Sequence, residues 1–231
     1  ILDRFRHDAK VPTVSFTGGE PTLRPDLPAF VAHAKSLGMR TNLITNGVRC
    51  ADEDLVAALA DAGLDSAQVS IEGRTATVHD QVTGTAGSFD KALQGIRNLR
   101  ARGIHTHTNT TICAENRDDV INIPDLAHEL GHEYFSMNMV IRTGSAAGGD
   151  NSVGYTTIQS VVEPVLNRAR ELNLRMVWYS PLPYCIFNPV TIGLGSNSCA
   201  AADGLLSVAP DGQVLPCSSF EQGIGNLLTE S

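Results

Sequence analysis

Short β-prone runs alternate with helical patterns over most of this chain, and the alternation restricts the fold to parallel βα units. The runs cover residues 11–16, 40–45, 66–71, 105–112 and 134–141. Apolar residues at helical spacing separate the first four runs, and each pattern ends at a glycine: Gly38, Gly63 or Gly103. Glycine suits the left-handed residue that ends a helix. The sequence therefore predicts an α/β fold.

Prolines interrupt the helical pattern in the second half of the chain. Pro124 excludes a continuous helix over 116–131, so we expect a turn first and then a helix that begins near Ile123. Pro164 predicts a similar interruption within 157–173.

From residue 174 onward, the helical spacing stops and prolines and glycines become frequent. Two short strands, at 205–209 and 213–215, flank a Pro210-Asp211-Gly212 sequence that is typical of a tight turn. We therefore predict two units: a barrel over residues 1–173 and a small β-hairpin module over 174–231.

The charge balance argues against nucleic acid as a partner. The chain has 25 acidic and 17 basic side chains, a net charge of −8, and no basic cluster. No apolar run approaches the roughly 20 residues that cross a bilayer, and residues 1–7 do not form a signal peptide. We expect a cytoplasmic protein without a membrane partner.

Polar residues follow four of the predicted strands. Because ligands bind at the carboxyl ends of parallel strands, we expect these endings to share one site. Glycines let the backbone approach a ligand closely, and a carboxylate with backbone carbonyls can accept hydrogen bonds from an ammonium group. The residues are Thr17, Gly18, Gly19, Glu20 and Pro21 after the first run, Asn46 after the second, Ser70 and Glu72 after the third, and Asn109 in the fourth.

The string TVSFTGGEPTLRPDL, residues 13–27, resembles the second-strand motif of radical S-adenosylmethionine enzymes. In that family a Gly-Gly-Glu-Pro loop holds the amino group of the methionine moiety. Ser70 matches a family serine that contacts the cofactor, and Glu72 replaces the usual aspartate. Thr83 stands where many relatives carry an arginine that can pair with the cofactor carboxylate. Arg74 and Arg142 are candidates to supply that salt bridge here.

The resemblance implies a partial (β/α)6 TIM-like barrel that lacks its first strand here. It also implies S-adenosylmethionine contacts at the nine residues of the four strand endings.

Three of the five cysteines, Cys185, Cys199 and Cys217, lie in the last fifth of the chain. A hairpin around Gly212 would return Cys199 and Cys217 to one another. Thiolates select iron–sulfur clusters or zinc, and the residues alone leave both metals open. For Cys50 and Cys113 we expect simple burial.

The segment around these cysteines resembles the opening half of the SPASM or twitch extension of the same family. That resemblance implies an auxiliary iron–sulfur cluster with Cys185, Cys199 and Cys217 as its ligands in this chain. The family also holds a [4Fe–4S] cluster through Cys-x3-Cys-x2-Cys, which is absent from the 231 residues. We expect that motif to precede Ile1.

The implied activity is reductive cleavage of S-adenosylmethionine to a 5′-deoxyadenosyl radical that takes hydrogen from a peptide or a small biosynthetic substrate. The resemblance also implies an electron donor such as flavodoxin or ferredoxin. No residue is assigned as a catalytic acid or base. The alternative is a non-catalytic, degenerate barrel that binds a peptide or a nucleotide-like ligand, with structural zinc held by the three thiols and a histidine.

Overall fold

Six parallel strands lie side by side in the order in which they occur along the chain. The structure, a computed structural model, describes residues 1–196, 198–220 and 222–230. Among these residues the outermost strands of the sheet each have one neighbour, so the sheet is open. The strands are β1 (Thr13–Phe16), β2 (Arg40–Thr45), β3 (Ser66–Ser70), β4 (His105–Ile112), β5 (Tyr134–Met139) and β6 (Arg175–Trp178).

Helices connect these parallel strands, as crossovers between parallel neighbours require. One short helix precedes the sheet, and two helices lie between β3 and β4. The α-helices are α1 (Leu2–His7), α2 (Leu27–Ser36), α3 (Glu53–Asp61), α4 (Ala76–Thr83), α5 (Ser88–Ala101), α6 (Ile123–Glu129) and α7 (Ile158–Glu171). In the described ranges no helix combines the length and the apolar character needed to cross a membrane.

The two faces of the sheet differ in polarity because successive side chains of a strand point to opposite sides. One face belongs to the buried apolar core, together with residues of the helices. The strand residues in that core include Leu43, Val69, Phe135 and Met137. The other face carries amides, hydroxyls and imidazoles that the strand register aligns, namely Ser15, Asn42, Gln68, His107, Asn109, Ser136 and Asn138.

The polar side chains in the amino-terminal half of this face bond to one another. Tyr134 Oη lies 3.1 Å from His107 Nδ1, and His107 Nε2 lies 3.2 Å from Gln68 Oε1. Burial lowers the pKa of His107 to about 4, so its ring stays neutral and serves as both donor and acceptor. The partners therefore satisfy each other within the sheet.

Asp80 joins α4 to the first turn of α5. Its carboxylate accepts hydrogen bonds from the backbone N–H groups of Gly87 (2.6 Å) and Phe89 (2.9 Å) and from Ser88 Oγ (2.9 Å). These bonds, that of Phe89 foremost, hold the pKa of Asp80 below its usual value. The stretch around residues 79–89 is thus a helix cap with a structural role.

All five predicted strands are present, and the α/β fold class is confirmed. The sheet continues beyond residue 173 through β6, which the sequence analysis did not predict. β6 has only four residues, of which Arg175 is exposed and Val177 half-buried, so its pattern is weak. The helix α4 was also not predicted.

Pro164 lies inside α7, which continues through it. The predicted interruption at this proline is therefore wrong. An interior proline costs about 3 kcal/mol, whereas each large apolar side chain contributes roughly 1.5–3 kcal/mol on burial. The burial of Ile158, Val162, Val165 and Leu166 outweighs the lost hydrogen bond.

The C-terminal segment forms a small antiparallel sheet of β7 (Ser207–Val208), β8 (Gln213–Leu215) and β9 (Gly225–Asn226). The predicted hairpin between β7 and β8 is present, and Gly212 in its turn has φ +86°. Arg4 of α1 donates to the backbone oxygens of Leu227 (3.2 Å) and Glu230 (3.3 Å), so the segment after β9 contacts the N-terminal helix.

Gly47 provides a test of how closely the loop after β2 packs on the core. It has φ +76°, and a Cβ at this position would lie 2.6 Å from Val69 Cγ1. We expect Gly47→Ala to lower the free energy of unfolding by about 2–4 kcal/mol, because it adds steric overlap to backbone strain. Urea unfolding measures the loss.

Gly84 is the matched control, since it also has positive φ (+66°) but open space around its Cβ position. Gly84→Ala should cost only the backbone strain, about 1 kcal/mol. Equal losses in the two variants would contradict the proposed packing role of Gly47.

Candidate functional site

The loop after β1 presents open backbone at the carboxyl end of the sheet. Thr17, Gly18 and Gly19 are exposed, and Gly18 has φ +140°, a conformation that favours glycine. In the described part of the chain, no atom lies within 4 Å of a Cβ built on either glycine. The backbone at both glycines is therefore open to a ligand.

Glu20 ties this loop to the end of β2. Its Oε1 accepts from the backbone N–H of Thr22 (3.0 Å) and from the hydroxyls of Thr22 and Thr45, the latter at 2.7 Å. Its Oε2 accepts from the backbone N–H of Asn46 at 2.8 Å. Glu20 also caps the short 3-10 helix that starts at the buried Pro21. We call the carboxyl-end edge of the sheet, with the loops that follow its strands, the rim. The Glu20 carboxylate fixes the first two of these loops and is also available to a ligand.

The second strand ending is a tight turn. Asn46 is exposed, and its Oδ1 accepts from the backbone N–H of Val48 at 3.0 Å. Thr45 Oγ1 accepts from the backbone N–H of Gly47 at 3.0 Å while it donates to Glu20. Since Asn46 donates its backbone N–H to Glu20, the first two strand endings form one hydrogen-bonded unit.

Glu72, just beyond β3, lies at the centre of the rim. Its Oε2 accepts from the backbone N–H of Thr111 at 2.8 Å, and its own backbone N–H donates to Nδ1 of the buried His79 at 3.0 Å. Burial raises the pKa of Glu72 to about 7, against the opposing effect of the Thr111 hydrogen bond. Burial also lowers the pKa of His79, which therefore accepts as a neutral ring. Glu72 is a carboxyl that titrates near neutral pH.

Asn116 holds the loops after β3 and β4 together. It is fully buried, and its amide donates to the backbone oxygens of Glu72 and Thr111, both at 2.9 Å. Its Oδ1 accepts from the backbone N–H of Cys113 at 2.8 Å. The sequence analysis gave Asn116 no role, because no local pattern distinguishes this asparagine from a loop residue.

Asn109 lies inside β4 and is buried among polar neighbours. Its Oδ1 accepts from Ser136 Oγ (2.9 Å), and its Nδ2 donates to Asn138 Oδ1 (2.8 Å). Asn109 therefore supports the rim from below. Ser70 faces it across the β3–β4 register. Asn138 was missed, although the period-two polar pattern Ser136–Asn138 in β5 could have indicated it.

The two arginines that the sequence offered as substitutes at Thr83 are bound elsewhere. Arg74 Nη2 contacts Glu129 Oε1 at 2.6 Å, and Arg142 Nη2 contacts Asp150 and Ser152. The rim residues described above are instead neutral donors and acceptors with two carboxyls, Glu20 and Glu72. Such a rim suits a ligand with an ammonium group and hydroxyls.

The C-terminal cysteines differ in exposure from the two in the barrel. Cys185 and Cys199 are exposed and Cys217 is half-buried, whereas Cys50 and Cys113 are buried. Cys217 Sγ accepts from the backbone N–H of Ser219 at 3.3 Å. Over the residues that the structure describes, no three histidine, cysteine or acidic side chains form a group that could hold a metal ion. The predicted burial of Cys50 and Cys113 is confirmed.

The chain is similar in sequence to known proteins. Residues 1–127 match the family model described as the Radical SAM superfamily. The chain is 29% identical to the AdoMet-dependent heme synthase of Oleidesulfovibrio alaskensis, over 98% of this chain and 62% of that protein. It is 33% identical to the PqqA peptide cyclase of Rhodopseudomonas palustris, over 90% of this chain and 54% of that protein.

The fold is similar to that of SuiB from Streptococcus suis. The crystal structure of SuiB bound to S-adenosylmethionine matches with a TM-score of 0.80 at 17% identity, over 100% of this chain and 55% of that one. The structure of SuiB bound to its precursor peptide SuiA also matches with a TM-score of 0.80. This chain therefore spans little more than half the length of several of the proteins it matches.

The hydrogen bonds to Glu20 predict a measurable cost for Glu20→Gln. An amide must turn its NH2 group toward donors that now face a carboxylate oxygen, so we expect a loss of about 1–2 kcal/mol in the free energy of unfolding. Glu53→Gln, an exposed carboxylate in the first turn of α3, should lose only a few tenths, about 0.3–0.5 kcal/mol. Urea unfolding that finds Glu20→Gln no less stable than Glu53→Gln would contradict the anchoring role.

The raised pKa of Glu72 predicts a dependence of stability on pH. Because the folded-state pKa (about 7) exceeds the ordinary value of 4.5, the folded state binds more protons between these values. The free energy of unfolding should therefore fall as pH rises from about 4.5 to 7, by up to about 3 kcal/mol. Glu72→Gln should remove this component, since glutamine mimics the protonated carboxyl. The free energy of unfolding of wild type and Glu72→Gln is measured in urea at pH 5, 6, 7 and 8. The same dependence on pH in both proteins would contradict the assignment of the raised pKa to Glu72.

Proposed function

The chain belongs to the Radical SAM superfamily, and from this premise we propose that the full-length protein binds S-adenosylmethionine at the carboxyl rim of the half-barrel. The observation that carries the proposal is the loop after β1, where exposed glycine backbone lies beside a carboxylate whose position is fixed by four hydrogen bonds. An ammonium group is the ligand chemistry that such a loop suits.

We propose that the residues at the rim hold the cofactor. The Thr17–Pro21 loop would hold the methionine amino group through its backbone and Glu20. Asn46 and Ser70 would supply neutral polar contacts from the neighbouring strand endings. Glu72 would accept a hydrogen bond from a hydroxyl group. Asn109, which bonds to protein side chains on both sides of its amide, would act by holding β4 and β5 in place.

When bound, S-adenosylmethionine and a [4Fe–4S] cluster together supply a 5′-deoxyadenosyl radical that abstracts hydrogen from a substrate. The Cys-x3-Cys-x2-Cys sequence expected for that cluster does not occur among the 231 residues. The part of this chain is to bind and orient the cofactor, since the radical chemistry belongs to the cofactor itself. No side chain is assigned as a proton donor or acceptor for the reaction.

The proposed substrate is a peptide or a small biosynthetic molecule. Relatives named PqqA peptide cyclase and the SuiB structure with its precursor peptide support a peptide. Relatives named heme synthase support a small biosynthetic substrate. A flavodoxin or ferredoxin is proposed as the electron donor, and the cytoplasm as the compartment.

We also propose that Cys185, Cys199 and Cys217 ligate an auxiliary iron–sulfur cluster. The exposure of Cys185 and Cys199 supports this role, because it leaves these two thiols free to bind a metal. The small antiparallel sheet supports it too, since β7 and β8 lie between Cys199 and Cys217 in sequence and pair as a hairpin that reverses the chain.

Metal analysis of the full-length protein tests both proposals. After anaerobic reconstitution, we expect iron and acid-labile sulfide in excess of one four-iron cluster, and 5′-deoxyadenosine after addition of reductant and S-adenosylmethionine. Zinc without sulfide would favour the non-catalytic barrel instead.

Two cysteine variants distinguish the iron of the auxiliary cluster from that of the [4Fe–4S] cluster that acts on S-adenosylmethionine. Cys217→Ala should remove the iron in excess of one cluster and leave four irons per chain. Cys113→Ala, which alters a buried thiol of the barrel, should leave the iron content unchanged. Equal iron in both variants would remove Cys217 from the proposed ligand set.

A further inference from the structure

A chain of side-chain hydrogen bonds crosses the polar face of β4 and β5 toward the rim. Ser136 Oγ donates to Asn109 Oδ1 at 2.9 Å, and Asn109 Nδ2 donates to Asn138 Oδ1 at 2.8 Å. Asn138 Nδ2 then lies 3.2 Å from Thr111 Oγ1. We call these four residues the β4–β5 relay. It ends at Thr111, which is half-buried near the carboxyl end of β4.

The backbone fixes the direction of the β4–β5 relay. Asn138 Nδ2 also lies 3.0 Å from the backbone oxygen of Met139, which can only accept. Turning the amide over would place two acceptor oxygens against each other. Asn138 must therefore present its NH2 group to Met139 and Thr111, and its Oδ1 must receive the amide hydrogen of Asn109.

The direction of the hydrogen bonds in the β4–β5 relay determines whether the Thr111 hydroxyl acts as a donor or as an acceptor. Because its oxygen accepts from Asn138, its single hydrogen remains to be donated, and among the described residues the structure gives it no acceptor. The backbone N–H of Thr111 donates to Glu72 Oε2 at 2.8 Å, so the hydroxyl and the Glu72 carboxyl lie close together. In the same described ranges, the structure gives Glu72 Oε1 no donor.

We propose that Asn138 is a positioning residue that holds the Thr111 hydroxyl as a hydrogen-bond donor to a ligand at the rim. The inference rests on the proposed binding of S-adenosylmethionine there. A donor beside a carboxyl that accepts fits neighbouring hydroxyls of a sugar, each of which can both give and receive a hydrogen bond. The carboxylate of the methionine moiety fits worse, because Glu72 in its ionised form would repel it.

A double-mutant cycle on the full-length protein tests the inference, with S-adenosylmethionine affinity measured anaerobically by calorimetry. Thr111→Val should weaken binding about fivefold to tenfold, the size of one hydrogen bond. Asn138→Asp should weaken it similarly, because an acceptor at this position draws the Thr111 hydrogen away from the ligand. In the Thr111→Val background Asn138→Asp should have no further effect.

Thr106→Val is the matched control. Thr106 lies on the opposite face of β4, and its hydroxyl is buried without a partner in the described structure. This substitution should leave the affinity unchanged. If Asn138→Asp does not fold, as judged by circular dichroism, Asn138→Ala replaces it and should weaken binding about twofold to fivefold, again only when Thr111 is present.

The outcomes separate this inference from the proposed function. Wild-type protein that fails to bind S-adenosylmethionine would contradict the function itself. Binding by the wild type with unchanged affinity in Thr111→Val, or with additive losses in the cycle, would overturn the role of Asn138. The probe 5′-methylthioadenosine has the sugar but no methionine carboxylate. An equal loss for both ligands in Thr111→Val supports the sugar, whereas a loss for S-adenosylmethionine alone overturns it.

Discussion

The pairing of polar groups on the polar face of the sheet is the constraint on which the rest of the structure depends. A buried amide or hydroxyl without a partner costs about 1–3 kcal/mol, so a polar strand face is stable only when its side chains bond to one another or to a ligand. Tyr134, His107 and Gln68 meet this condition among themselves. At the rim, the Thr111 hydroxyl accepts from Asn138, but its hydrogen and one oxygen of Glu72 have no partner within the described structure.

The strand endings act together because backbone groups join them. Glu20 receives the backbone N–H of Asn46, and Glu72 receives that of Thr111. Asn116 donates to the backbone of both Glu72 and Thr111. The rim is therefore preorganised by hydrogen bonds between loops that are far apart in sequence, which reduces the conformational entropy lost when a ligand binds.

Local patterns were sufficient to predict the first five strands of the sheet, most helix ends and the polar residues that follow β1, β2 and β3. They placed Asn109 at a strand ending, whereas it lies inside β4. They failed where a tertiary contact decides the outcome. β6 is a strand because it pairs with β5, and α7 passes through Pro164 because its apolar side chains are buried. The role of Asn116 depends on loops brought together by the fold, and the raised pKa of Glu72 depends on burial. Neither is visible in the order of residues.

The self-contained bonding of His107, Tyr134 and Gln68 has a consequence for how such a scaffold diversifies. Because these three side chains already bond to one another, a ligand that bound them would have to replace those hydrogen bonds. The loops at the carboxyl ends of the strands can then change in sequence without breaking the hydrogen bonds in the amino-terminal half of the sheet. The amino-terminal ends of the strands can therefore keep the fold, while the loops at their carboxyl ends change the chemistry.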